Sequence, residues 1–162
     1  YRAAWGEKPG AIASSSLVRQ LIRSGAVDQA QACLDRPYML FGKVVHGAGR
    51  GAGLGFPTAN LDAGSQLIPA DGVYAGVARV DDRDYPTAIS IGVKPTFGDS
   101  MRTVEAHLLD FRDDLYANEI SVSFLSWLRD QQPFPSPAAL REQIERDVNR
   151  TRELFQQHLS TG

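Results

Sequence analysis

The residues best suited to chemistry fall in three short stretches. Phe56-Pro57-Thr58-Ala59-Asn60 sets a hydroxyl and a side-chain amide two residues apart. In extended backbone such residues point to one side, and both are hard oxygen ligands of the kind Mg²⁺ accepts beside substrate phosphates. The other reading is an ordinary turn, the usual place for Thr and Asn after proline. Val104-Glu105-Ala106-His107-Leu108-Leu109 alternates, so Glu105 and His107 share a strand face. Facing a cleft, Glu105 could take a proton from a hydroxyl substrate; facing outward, the two are a solvated surface. Glycines at 42, 47, 49, 51, 53 and 55 place six of the chain's fifteen glycines within fourteen residues, with Arg50 among them. Bare backbone allows positive φ and lets N–H groups approach an anion, as in a phosphate cradle, and it suits a flexible hairpin as well. Neither G-x-x-x-x-G-K-[ST] nor a G-x-G-x-x-G between strand and helix is present, so any phosphate site here is of another kind.

His46 and His158 have no Asp or Cys at ligand spacing, and no zinc site is read from them. Cys33 is the single cysteine, which excludes an internal disulfide and points to a reducing cytoplasm. Seventeen basic against nineteen acidic side chains give a net charge of -2, unlike the concentrated positive field that nucleic-acid binding draws on. No apolar run is long enough to span a membrane and no charged-then-apolar leader opens the chain, so no membrane partner is expected. The chain starts at Tyr1 without Met and residues 1–10 lack strand or helix periodicity, which reads as a piece of a longer protein.

The elements that must position these residues follow from periodicity and punctuation. At 162 residues and 43% hydrophobic, the chain suits one domain with one core. Ser14-Ser15-Ser16 ahead of Leu17, Val18, Leu21 and Ile22 predicts a capped amphipathic helix ending at Gly25, and 27–34 a second short helix, before Arg36-Pro37 breaks the pattern. Residues 40–46, 73–80, 87–91, 103–109 and 120–128 are rich in β-branched and aromatic side chains and predict strands, with the acidic pairs Asp81-Asp82 and Asp113-Asp114 as solvated turns. Short strands without long crossover helices favour an antiparallel sandwich or barrel. Ser136-Pro137 starts one long helix whose Leu140, Ile144, Val148 and Phe155 share a face, with Glu142 and Arg146 as an i,i+4 pair.

Together these residues resemble the riboflavin kinases, and specifically the C-terminal module of bacterial bifunctional riboflavin kinase/FAD synthetases. The resemblance rests on Gly42-Lys43-Val44-Val45-His46-Gly47, Gly49-Arg50-Gly51 and Leu54-Gly55-Phe56-Pro57-Thr58-Ala59-Asn60-Leu61. Gly72-Val73-Tyr74, Ser90-Ile91-Gly92, Pro95-Thr96-Phe97-Gly98, the run from Glu105 to Phe111 and Asp114-Leu115-Tyr116 extend it. It implies a mainly β fold: a six-stranded antiparallel Greek-key barrel with a C-terminal helix and a short N-terminal helical segment. The implied reaction moves the γ-phosphoryl of ATP to the ribityl 5′-hydroxyl of riboflavin, giving FMN and ADP, with Mg²⁺ as cofactor.

By the same resemblance Thr58 and Asn60 match the residues that hold Mg²⁺ and the nucleotide phosphates, and Glu105 matches the catalytic base. His46, Gly47, Arg50, Gly51, Ala52 and Gly53 match a flap over the nucleotide. Gly98, Ser100 and Thr103 match a second flap near the flavin, and Arg129 with Phe134 matches the segment that closes on it. After Leu128-Arg129 this chain has Asp130-Gln131-Gln132, where the family usually has Pro-Glu and basic residues. Ser14-Ser15-Ser16-Leu17-Val18-Arg19 resembles the end of an adenylyltransferase module. The expected division is therefore 1–36 as the tail of such a module and 37–162 as the kinase domain, with no FAD made by this chain alone. Two other functions fit a small barrel: flavin or nucleotide binding without turnover, which has no need of Thr58, Asn60 and Glu105 together, and single-strand nucleic-acid binding, which the charge disfavours.

Overall fold

A computed structural model describes residues 14–45, 58–96, 99–112, 114–116 and 118–161. Two short helices, α1 (Ser15–Arg23) and α2 (Val27–Leu34), precede six strands: β1 (Tyr38–Val45), β2 (Ala59–Asp62), β3 (Gly72–Val80), β4 (Arg83–Thr96), β5 (Asp99–Leu108) and β6 (Glu119–Arg129). A long helix, α3 (Pro137–Thr161), follows. The punctuation read from sequence is seen at atomic detail. Ser14 Oγ accepts from Leu17 N at 3.2 Å, and Ser136 Oγ from Ala139 N at 3.1 Å. Asp81 and Asp82 both have positive φ (48° and 66°) and link the Val80–Arg83 pair, the geometry of a two-residue hairpin whose turn matches strand twist.

The strands close into a barrel in the order β1-β2-β5-β4-β3-β6, every neighbouring pair antiparallel. β3, β4 and β5 follow one another as hairpins and β6 returns beside β3. That spatial order, 6-3-4-5, is the Greek key, and closure leaves no bare edge strand. Leu40, Leu61, Tyr74, Ile89, Ile91, Val104, Ala106, Val122 and Phe124 fill the interior, with the Tyr74 and Phe124 rings edge to face at 5.2 Å. The pairing of β6 with β3 skips Leu125 and Leu128, two bulges that sharpen the local twist.

β3 is buried almost throughout because both its faces are covered. Tyr74 and Ala78 look into the barrel, while Val77 packs outside with Leu125 and Phe155 under α3. α2 sends Val27 into the barrel core, and Ile22 of α1 packs with Ala30 of α2, Tyr38 and Leu67.

Three expectations need correction. β2 is a strand rather than a turn, and β4 begins four residues before 87, because pairing with neighbours outweighs a polar, proline-containing sequence. The packed stripe of α3 centres on Asp147, Thr151 and Phe155, with Leu140, Ile144 and Val148 only half-buried. Gly42 lies in β1, as the predicted strand 40–46 has it, so its inclusion in the glycine-rich stretch is what needs correction: a Cβ there would lie 2.1 Å from the Asp62 carbonyl oxygen.

Candidate functional site

The alternation of β5 sends Val104, Ala106 and Leu108 into the core and leaves Glu105 and His107 on the outer wall, both half-buried. Glu105 pairs in register with Asn60 of β2 on one side and Ser90 of β4 on the other. Thr58, just before β2, donates from Oγ1 to Glu105 Oε2 at 3.3 Å. Glu105 Oε1 is itself shut off from solvent. A hydroxyl, a carboxamide and a carboxylate, drawn from positions 58, 60 and 105, thus meet on one patch of wall. Asn60 and Glu105 are held in that patch by the β2–β5 pairing, and Thr58 joins it through its bond to Glu105.

The donor set is all oxygen apart from one amide nitrogen, which suits a hard cation held by a few protein groups and completed by phosphate oxygens. Among the described residues no three His, Cys, Asp or Glu side chains converge as a closed metal cage. His107 lies two residues further along the same face. Burial first, and the Arg152 guanidinium second, hold its imidazole below the ordinary 6.5, which favours the neutral ring.

The segment after β6 carries the other predicted contacts. Arg129 and Phe134 are brought together, the guanidinium carbon 5.5 Å from the ring centroid. Arg129 also grips Asp147 of α3 through Nη2 at 2.9 Å and Nε at 3.1 Å. Gln143 adds a 3.0 Å bond to the same carboxylate. Thr103 lies on β5 and donates from Oγ1 to the Gly92 carbonyl at 3.4 Å. Ser100 lies on β5 opposite Pro95. His46, Gly47, Arg50, Gly51, Ala52, Gly53 and Gly98 lie outside the described residues, as does Asp113.

Three residues had no role in the sequence reading. Ser90 stands beside Glu105, signalled by its polar type between Ile89 and Ile91 and by its place in the Ser90-Ile91-Gly92 stretch. Gln131 donates from Nε2 to Ser90 Oγ at 2.7 Å and to the Ile91 carbonyl at 3.0 Å. Asp147 is the third, a charge hidden in an apolar stripe.

Fold and site together define a closed Greek-key barrel that presents oxygen donors and a carboxylate on its outer wall beside a helix-tethered segment. The riboflavin kinase family model matches residues 34–155, and the chain belongs to that family. A bifunctional riboflavin kinase/FMN adenylyltransferase of Pseudomonas fluorescens is 38% identical over 149 residues, covering 91% of this chain and 48% of that protein. The chain therefore spans about half the length of the curated relatives it matches. Among solved structures, a riboflavin kinase from Trypanosoma brucei superposes with a TM-score of 0.55 at 30% identity, covering 74% of this chain and 80% of that one. A Streptococcus pneumoniae chain titled a macrolide-efflux protein gives 0.83 at 34% identity, with 90% and 48% covered. No described helix of the present chain is long and apolar enough to cross a membrane.

Proposed function

We propose that this chain is a flavokinase, transferring the γ-phosphoryl group of ATP to the ribityl 5′-hydroxyl of riboflavin. The observation that carries the reading is the meeting of Thr58, Asn60 and Glu105 on one patch of wall. Membership of the riboflavin kinase family supports it.

Glu105 orients the ribityl hydroxyl and takes its proton as that oxygen bonds to phosphorus, while the bond from the γ-phosphorus to the bridging oxygen breaks and ADP leaves. The hydroxyl of Thr58 and the carboxamide oxygen of Asn60 would hold Mg²⁺ together with the nucleotide phosphates. When bound, Mg²⁺ neutralises phosphate charge. Thr58 does a second job by donating to Glu105, which fixes the carboxylate without supplying it a proton. His46, Gly47, Arg50, Gly51, Ala52 and Gly53 would cover the nucleotide, and Gly98, Ser100, Thr103, Arg129 and Phe134 would contact the flavin. A cytoplasmic setting belongs to the same proposal, supported by the lone Cys33. So does an adenylyltransferase module upstream, with 1–36 as its tail and 37–162 as the kinase domain. The bifunctional names and half-length coverage of the relatives support that part.

The test is an incubation of the purified chain with riboflavin, ATP and Mg²⁺, separated by chromatography. FMN and ADP are expected, without FAD or pyrophosphate. Flavin binding with no FMN formed would make the chain a binding module instead, and FAD would contradict the division of activities.

A further inference from the structure

The wall that holds Glu105 continues past it as a row of register partners, from Asn60 through Glu105 to Ser90. At its far end β3 begins with Gly72 opposite Ile91, so from residue 92 onward β4 has no β3 partner on that side. Into this gap comes Gln131, two residues after β6, from a stretch with no regular structure of its own. Its amide nitrogen donates twice, to Ser90 Oγ at 2.7 Å and to the Ile91 carbonyl at 3.0 Å. The stem lies across Gly92, where an added Cβ would come within 3.4 Å of Nε2 and 3.6 Å of Cγ. Gln131 is otherwise exposed, so its packing alone gives it little reason to be held there. The bonds span forty-one and forty residues of sequence.

We infer that Gln131 is a positioning residue that pins the 130–136 segment, with Phe134 against Arg129, to the strand beside Glu105, and so sets where the flavin lies relative to the base. This rests on the flavokinase reading above. An amide is suited to the role because Nε2 carries two hydrogens and two acceptors await them. Glutamate cannot donate to the Ile91 carbonyl and would bring a second carboxylate toward Glu105. In the flavokinase reading the Mg-ATP side of the site would be held by Thr58, just before β2, and Asn60 on β2, on the opposite flank of Glu105. Loss of the tether should therefore register on the flavin and not on the nucleotide.

The test is steady-state kinetics of the full chain and of Gln131→Ala, Gln131→Glu and Ser90→Ala, each substrate varied in turn, with hydrogen exchange followed on residues 130–136. Losing two hydrogen bonds should raise the riboflavin KM about tenfold in Gln131→Ala, and losing only the one to Ile91 should raise it less in Gln131→Glu, whose carboxylate still accepts from Ser90 Oγ, with kcat and the Mg-ATP KM within about twofold of wild type. Exchange should quicken in 130–136 while β1 and β3 stay protected. Ser90→Ala keeps the bond to Ile91 and should show a smaller rise. An unchanged riboflavin KM, or equal losses in kcat and both KM values, would overturn the positioning role while leaving the kinase reading intact. A wild-type chain that makes no FMN would overturn the kinase reading and this inference with it. Because Gln131 is exposed, both variants should fold, and thermal melting checks that; if Gln131→Ala alone fails, Gln131→Glu decides.

Discussion

Arg129 and Asp147 form a bidentate ion pair that fastens the end of β6 to the middle of α3. Nη2 lies 2.9 Å from Oδ2, Nε lies within 3.2 Å of both oxygens, and the two side chains are 17% and 7% exposed. The same guanidinium faces Phe134, so the tether that docks the helix also shapes the segment proposed to meet the flavin.

Removing one partner of a desolvated pair leaves the other charge uncompensated, a loss of about 3 kcal/mol, whereas replacing both with apolar groups is often close to neutral. Asp147→Ala should therefore lower stability by about that amount in urea denaturation. Arg129→Met combined with Asp147→Leu should recover most of it. Activity should stay low in the double variant, because the contact between Arg129 and Phe134 is not restored. A single variant as stable as wild type would show that apolar packing alone holds α3.

Tyr74 offers a test at alkaline pH. Its ring is fully buried against Phe124, and its hydroxyl donates to the Ala70 carbonyl at 2.5 Å. Burial pushes the phenol up to about 12, with Arg102 opposing and Asp71 assisting. The unfolded chain gives up that proton near 10.0, so the stability it confers is whole below pH 10 and is lost as pH rises from there toward 12. Tyr74→Phe should cost about 1 kcal/mol at pH 8 through the lost hydrogen bond. The gap from wild type should narrow at pH 11, as urea midpoints will show. A gap that stays constant with pH contradicts the shifted phenol.

Gly42→Ala separates a strand glycine from a loop glycine. The added Cβ would meet Asp62 backbone at 2.1 Å and 2.9 Å, which no side-chain rotation relieves. Overpacking of this kind costs about 1–3 kcal/mol. β2, which carries Asn60, has to shift with it, so Mg-ATP binding should weaken alongside the drop in melting temperature. Full stability and wild-type kinetics would show that the two strands can part without effect.

What the sequence made legible follows from locality. The caps at Ser14 and Ser136, the helix 27–34 and the alternation that pairs Glu105 with His107 are set by residues within a turn or two of one another. β2 has only four residues, too few for a period to show, and becomes a strand through Lys43–Asp62 and Ala59–Ala106 pairing. A charge at Asp147 makes sense only beside Arg129, eighteen positions away, and Gln131 only beside Ser90 at forty-one. The candidate site divides in the same way: alternation showed which face Glu105 shares with His107, and the two-residue spacing of hard oxygen donors picked out Thr58 and Asn60, which the resemblance then matched. Their contact with Glu105 depends on closing the barrel.

Glu105 and His107 give the sharpest comparison, since they share one strand face and general misfolding would damage both variants. Phosphoryl transfer draws mostly on positioning and charge neutralisation, so a base is one contributor worth about 10²–10⁴-fold. Glu105→Gln keeps shape and removes basicity, and should lower kcat by about that factor with little change in either KM. His107→Ala should do much less to kcat, because no hydroxyl substrate need reach the imidazole. Its effect should appear in stability instead. With the folded imidazole held below 6.5, the unfolded chain binds the proton first as pH falls through that value, so wild-type stability declines there. His107→Ala should remove that part of the decline, read as a flatter dependence of urea midpoint on pH between 7 and 5. If Glu105→Gln keeps nearly full kcat while His107→Ala abolishes it, the proton goes to the imidazole and the base assignment moves two residues along β5.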